Sequence, residues 1–463
     1  MKKYLLLSML VILTNISTAQ NTNNGEYIIP AVVDKKWGFI NEYGQWIVTP
    51  QFDYTYPCND NRVAMAAFES KGKWGYIDKN GNIIIEPQFD AVGDYFVNGL
   101  SEIKINNLWG CMDTKGKIII EPKYEYMSFL SYSELIKVEV NNKYGLIDNT
   151  DKMVVEPKFE SIDNFTSSGL ALIKLNDKYG YINTKGEIVI APQFDNAKSF
   201  SENGLASIMV NGNWGCINNV GKIIIEPKFE SIYTFSTNGL ALIKQNNKCG
   251  YINTNGKIVI EPQFDNAESF SEQGLAPIMI NEKWGYINEK GKIVINPTFK
   301  KAFPFATNGL AAVQADNKKY GYINKTGNMI IQPQFDRARL FDNYGIAVVT
   351  NSQKDGIIDA SGKYIIEPII DHIENHSSIG FSIITVNREK GLIDNSGKIV
   401  VKPQYTDILT FGDVIFVKKN KKWGIIDKLG KTIAEPQFDM VIGEILSIVD
   451  DGIMLFDVID VDE

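Results

Sequence analysis

The sequence predicts an all-β array of tandem repeats, and three observations carry that prediction. A Gly that usually follows Trp or Tyr recurs about every 35 residues, at twelve positions from Gly38 to Gly424. A fixed period of this size marks a repeat architecture. Twelve residues after each such Gly stands a Pro, from Pro50 to Pro436. Between the anchors lie β-branched runs such as Ile83-Ile84-Ile85 and Ile188-Val189-Ile190, the residue types that fill a pleated surface.

Each unit reads as three strands. Gly-Leu-Ala-Leu-Ile-Lys at 169–174 and 239–244 is the first, and aromatic-Gly-Tyr-Ile-Asn is the second. Three residues after the anchor Gly every unit has Asp or Asn, as in Asp78, Asn183 and Asp427. Three further on, eleven units have Gly, as in Gly81, Gly186 and Gly430; the fourth has Asp151. An Asx side chain that bonds nearby backbone, followed by a Gly that accepts positive φ, is a hairpin turn signal. The third strand, Lys-Ile-Val-Ile-Glu-Pro in type, ends at the Pro, which has no N–H for the ladder. Two residues later an aromatic stands in eleven of twelve units, and the position after that holds an acid in ten. The spacing Phe-Asp-x-Ala-x-x-Phe at 194–200 and 264–270 predicts a short helical turn capped by the Asp. Residues 159–228 match 229–298 at 47 of 70 positions, so a two-unit block was duplicated.

The ends differ from the array. Residues 1–19 read as a signal peptide: Lys2 and Lys3, an apolar run over 5–13, then Ser17-Thr18-Ala19 as a small-x-small cleavage site. That run is shorter than the roughly 20 residues a membrane span needs, and no later stretch is long and apolar enough. The twelve-unit array is expected over 20–440. Residues 441–463 are expected to be a half-unit C-terminal cap, whose acidic run discourages edge pairing. The mature protein is expected outside the cytoplasm, periplasmic or secreted, as a monomer.

Charge and cysteine usage narrow the partners. There are 47 Lys+Arg against 55 Asp+Glu, a formal charge of −8, and four Arg in all. That argues against nucleic acid, which wants clustered basic residues. A hydrophobic content of 44% with 11% aromatic argues against wholesale disorder. Cys111 and Cys216 occupy apolar slots of the repeat, and Cys249 replaces the motif aromatic. With Cys58 they are expected to be free thiols rather than a disulfide framework.

The stretch from Lys73-Trp74-Gly75-Tyr76-Ile77-Asp78 through Gly81 to Ile85-Glu86-Pro87-Gln88-Phe89-Asp90 closely resembles the consensus of the WG-repeat (KWG-repeat) family of bacterial proteins, as does Trp284-Gly285 with Gly291 and Pro297. The resemblance covers roughly 27–440. It implies an all-β, propeller-like class whose motif residues are structural, so it places no catalytic residue here. Units ten and eleven depart from it, with Asp355-Gly356 and Lys390-Gly391 in place of the aromatic pair. Units of about 35 residues are small for propeller blades of about 40–50, and twelve are many for one ring. The array is therefore expected to be a propeller-like superhelix of three-stranded repeats, with two closed propeller rings as the alternative.

Functional residues are sparse. There is no G-x-S-x-G, P-loop or H-E-x-x-H, so no enzyme and no cofactor are expected. The recurring Trp or Tyr would form a glycan ladder only if exposed; packing against the next repeat is the expected role. The acids show no D-x-[DN]-x-[DN]-G calcium loop. His372 and His376 have the spacing of a two-His metal pair but no third ligand, so no metal is expected. Arg337, Arg339 and Arg388 are three of the four arginines, and both histidines lie between them. Arg suits bidentate recognition of carboxylate or phosphate. A recognition patch of Arg337, Arg339, His372, His376 and Arg388 is the sharpest site expectation. The function expected is an exported, non-enzymatic binding or scaffold protein for a protein or glycan partner; the alternative is a structural or adhesive envelope component.

Overall fold

The computed structural model describes residues 28–55, 65–93, 95–374, 380–411 and 414–441. The signal peptide expected at 1–19, the cap expected at 441–463 except Val441, Cys58 and His376 lie outside the described residues. Every regular element among the described residues is a strand, and the strands form twelve small antiparallel sheets. The chain divides into two compact units, one made of residues up to Met127 with those from Glu374 onward, the other of Ser128–Ile373. Four sheets lie wholly in the first unit and six wholly in the second, each with four strands. Small antiparallel meanders of this kind are the blades of propeller-like folds.

The sheet built from Asn266–Ala267, Leu275–Ile280, Lys283–Asn288 and Ile293–Phe299 shows how the sequence makes each blade. The last three are the expected strands, paired in chain order. The short outermost strand comes from the tail of the preceding repeat, where Asn266 and Ala267 pair with Met279 and Ile278. Each blade therefore borrows one strand from its neighbour. At the chain ends the same rule makes Met440–Val441 pair with Ile29–Val33 inside the first unit.

That outer strand corrects the helical turn expected over 194–200 and 264–270, because no helix forms at either place. The Asp was expected to cap, but its carboxylate is engaged elsewhere. Asp265 Oδ1 accepts from Lys248 Nζ at 2.5 Å, and Oδ2 accepts from the Asn281 N–H at 2.7 Å. The apolar i, i+3, i+6 spacing instead marks an extended crossover that buries Phe264, Ala267 and Phe270. Phe270 packs on the Tyr251 ring at 4.8 Å, and the Tyr251 hydroxyl donates to the Glu268 carbonyl at 2.7 Å.

The core runs from blade to blade. Cys216, Ile225 and Phe229 of one sheet pack with Ile232, Ala241, Ile243 and Ile252 of the next. A repeat that cannot bury its apolar face alone is stabilised by its neighbour in this way. None of the three described cysteines is in a disulfide, and all three are buried. Burial pushes the Cys216 thiol up to about 11 and raises Cys249 as well, which leaves them protonated and poor nucleophiles at neutral pH.

The turn signal behaves as its chemistry dictates. Asp78 Oδ1 accepts the N–H groups of Asn80 and Asn82, and Gly81 sits at φ 83°. Asp151, the single non-Gly at that position, takes the same left-handed conformation at φ 68°.

The acid after each aromatic explains the Lys two residues before the motif Gly. Lys73 reaches Asp90, Lys178 reaches Asp195 and Lys319 reaches Asp336, each at 2.5 Å, and the second carboxylate oxygen takes an N–H of the next hairpin turn. Where Lys300 replaces the acid, Lys283 turns to Asp316 instead. The Lys hydrogen bond, followed by the backbone N–H, holds Asp90, Asp195 and Asp336 below the ordinary carboxylate range. A depressed folded-state pKa contributes stability that is present above the unfolded value of about 3.9 and lost as pH falls through the folded value. Burial raises Glu69, Glu268 and Asp163, which favours the fold on protonation and offsets part of that loss. The thermal midpoint should hold steady between about pH 7 and pH 5 and fall steeply below about pH 4. A midpoint unchanged down to about pH 3 would show that these repeated pairs contribute nothing.

Candidate functional site

The motif aromatic packs rather than projects. Trp37, Trp74 and Tyr320 are buried, Trp423 fully so, and the remaining described Trp and Tyr residues at this position are half-buried. Lysines cover several of the rings, as Lys198 does over Trp214 at 5.5 Å and Lys104 over Trp109 at 5.4 Å. Among the described residues none of these rings is exposed as a rung of a glycan ladder.

Unit ten breaks this pattern in a chemically specific way. Its aromatic slot on the strand Lys354–Asp359 holds Asp355, whose partner across the bulge is Ile370 where other units have Phe or Tyr. Asp355 is 6% exposed and is the only ionisable side chain among the buried polar residues described. A buried carboxylate is tolerated when donors surround it, and they do. Oδ1 accepts from the Thr350 hydroxyl at 2.8 Å, and Oδ2 accepts from the Ile373 N–H at 3.1 Å. The Arg339 guanidinium stands 3.9 Å from Oδ2 and His372 Nδ1 stands 3.7 Å from it.

Replacing a large ring by a short acid opens a cleft of about 850 Å³. Phe303 and Tyr320 of the preceding blade form one side, with ring centroids 6.2 Å apart. Arg337, Arg339 and His372 come from the short strands Arg337–Ala338 and His372–Ile373 and their flank, and Ser352 and Gln353 come from a hairpin tip. That tip is a left-handed turn: Ser352 and Gln353 hold φ 51° and 64°, and the Ser352 N–H donates to Asp336 at 2.8 Å. Asp336 and Asp371, also in the lining, are paired with Lys319 and Lys354. The cleft therefore presents Arg337 and Arg339 against the single carboxylate of Asp355 once those pairs are set aside.

The other departures take different forms. Lys390 fills the slot of unit eleven and makes ion pairs with Asp407 at 2.8 Å and Glu374 at 3.3 Å. Burial works to lower its pKa, but the hydrogen bond and charge of Asp407, with those of Glu374, outweigh burial and hold it above the ordinary value. Cys249 fills the slot of unit seven and leaves a smaller cleft of about 420 Å³ beside Lys244, Asp265 and Glu268.

Of the five residues expected to make one patch, the structure brings Arg337, Arg339 and His372 to one cleft. Arg388 sits at a hairpin turn of the other compact unit, at φ 68°. His376 lies outside the described residues. No three His, Cys, Asp or Glu side chains among the described residues converge as a metal site would require. No helix there is long and apolar enough to cross a membrane.

A family model for the WG-containing repeat matches twelve consecutive segments of this chain, from residue 37 to residue 443. The chain belongs to the WG-repeat family. No curated protein matches the sequence. Among solved structures, a eukaryotic initiation factor is 11% identical, covering 73% of this chain and 94% of its own, with a TM-score of 0.35. BamB from Moraxella catarrhalis is 10% identical, covering 59% and 94%, with a TM-score of 0.27. PorZ, a surface component of the type-IX secretion system of Porphyromonas gingivalis, is 8% identical, covering 78% and 63%, with a TM-score of 0.21. At these values no role is taken from any of them. Within the WG-repeat pattern Asp355 stands out only as a missing aromatic. Its burial, and the participation of Thr350 and Tyr320, leave no mark in the sequence.

Proposed function

We propose that this WG-repeat protein is an exported, non-enzymatic binding protein whose repeats serve as scaffold and whose cleft at unit ten receives part of a protein or glycan partner. The observation that carries the reading is the buried Asp355, held by Thr350, Arg339 and His372 at the floor of an open cleft where the motif calls for a packed ring. A buried charge costs free energy that a simple spacer has no reason to retain. The carboxylates of the cleft each stand beside a cationic side chain, which suits recognition better than proton transfer. An N-terminus that reads as a signal peptide supports a place in the periplasm or beyond the cell, and the acidic charge argues against nucleic acid.

The test is capture from extracytoplasmic material of the source cells by the immobilised protein, beside a double variant Arg337→Ala/Arg339→Ala and a control Arg388→Ala. The partner should be held by the parent and by the control, and lost by the double variant at a temperature where circular dichroism shows that variant still folded, since removing Arg339 takes a cation from the buried Asp355. Equal capture by all three would remove the cleft from the account and shift the role to the common repeat surface.

A further inference from the structure

The cleft also carries information about its ligand. Asp336 and Asp371 are neutralised by Lys319 and Lys354, and Asp355 faces Arg339 and His372. Arg337 is exposed and has no hydrogen-bond or ion-pair partner among the described residues. One guanidinium is thus left to a ligand, and its fork matches a planar carboxylate. A phosphate monoester, carrying nearly two charges at neutral pH, would be only half neutralised by that one unpaired guanidinium. The Ser352 hydroxyl and the Gln353 amide also have no partner among the described residues, and both are exposed on the hairpin tip. A purely apolar acid would leave those groups unmatched, whereas a hydroxyl-rich acid satisfies them. Tyr320 and Phe303 supply the apolar wall that such pockets use beside a few polar groups.

We propose that the cleft binds a carboxylate-bearing sugar, of which a free uronic acid is the smallest example, with Arg337 on the carboxylate and the hairpin tip on the hydroxyls. This rests on the binding reading above and names its ligand class. The test is calorimetric titration of the full chain with galacturonate and glucuronate, beside galactose, glucose, acetate and inorganic phosphate. At least one uronate should bind with a dissociation constant of about 1 mM or tighter, about tenfold or more ahead of its neutral counterpart. Arg337→Gln should weaken that binding about tenfold or more at an unchanged thermal midpoint, while Arg388→Gln should leave it alone. Uronate binding no tighter than the neutral sugar, acetate or phosphate would overturn the proposal, as would an Arg337→Gln chain that binds as well as the parent. If no probe binds while capture of a partner still depends on Arg337 and Arg339, the sugar is wrong and the binding cleft stands. If that capture is also independent of the two arginines, both fail.

Discussion

Gly285→Ala is expected to destabilise its blade by about 3 kcal/mol, far beyond the usual effect of that substitution. The reason is a close approach of two backbones. Trp284 pairs with Phe299 and Tyr286 with Ile295, so Gly285 faces the bulge that carries Pro297. A Cβ on Gly285 would stand 2.4 Å from the Ile295 carbonyl oxygen and 2.6 Å from the Pro297 nitrogen. Backbone atoms cannot rotate aside as a side chain would, so a strand must move. The same approach recurs at Gly75, 2.4 Å from the Ile85 carbonyl and 2.8 Å from the Pro87 nitrogen. This explains why the Gly and the Pro keep a fixed separation of twelve residues in all twelve units: they meet across the sheet, and the Pro withholds an N–H that the bulge could not pair. Gly204 offers the contrast. It has a left-handed φ of 77° and open space around its would-be Cβ, so Gly204→Ala should cost only about 1 kcal/mol. Urea unfolding of both variants checks the pair, and equal losses would show that conformation rather than contact fixes the motif Gly.

Much of this was legible in the sequence because the repeat displays local chemistry twelve times. The Asx turn, the left-handed Gly81 and Gly186 and the packed aromatics are each set by neighbours within one unit, and periodicity averages away the noise. The Pro expected to end the third strand does not end it: the strand runs on to Phe89 and Phe299, because the bulge takes up the missing N–H and pairing resumes two residues later. The short fourth strand was not legible. Two residues such as Asn266 and Ala267 carry no strand pattern of their own, and they are extended only because Met279 and Ile278 of the next blade offer a free edge. Their apolar spacing matched a helical period by coincidence of the crossover that buries Phe264 and Phe270. The site was half legible. Arg337, Arg339 and His372 drew notice by rarity, and they do share a cleft. Arg388 drew notice for the same reason and belongs to the other unit, because nearness along a repeat array does not specify which face a side chain occupies. Asp355 was visible as an exception, but its burial follows from Arg339, His372 and Thr350 closing over it, which no single-sequence pattern encodes.

Asp355→Tyr is expected to abolish partner binding while leaving the blade folded. The substitution restores the residue type that the preceding unit carries at Tyr320, in a slot with space for a ring. Burying that ring offsets the loss of the Thr350 and Ile373 hydrogen bonds, each contributing about 1 kcal/mol. The thermal midpoint should therefore move by only a few degrees. The ring would, however, take up the floor of the cleft and remove the carboxylate that holds Arg339 and His372 there, so the shape offered to a ligand changes whatever the charge of Arg337. This separates the cavity from the arginines more cleanly than removing charge does, since a charge variant also alters long-range attraction of acidic partners. The decisive measurement is partner affinity of the parent and of Asp355→Tyr, by titration on a biosensor surface, with the thermal midpoints measured in the same buffer. The account predicts a loss of about a hundredfold or more in affinity, equivalent to about 3 kcal/mol, from a variant as stable as the parent. Equal affinity in a stable Asp355→Tyr chain would contradict it, and would mean that the departure at unit ten is not where this protein meets its partner.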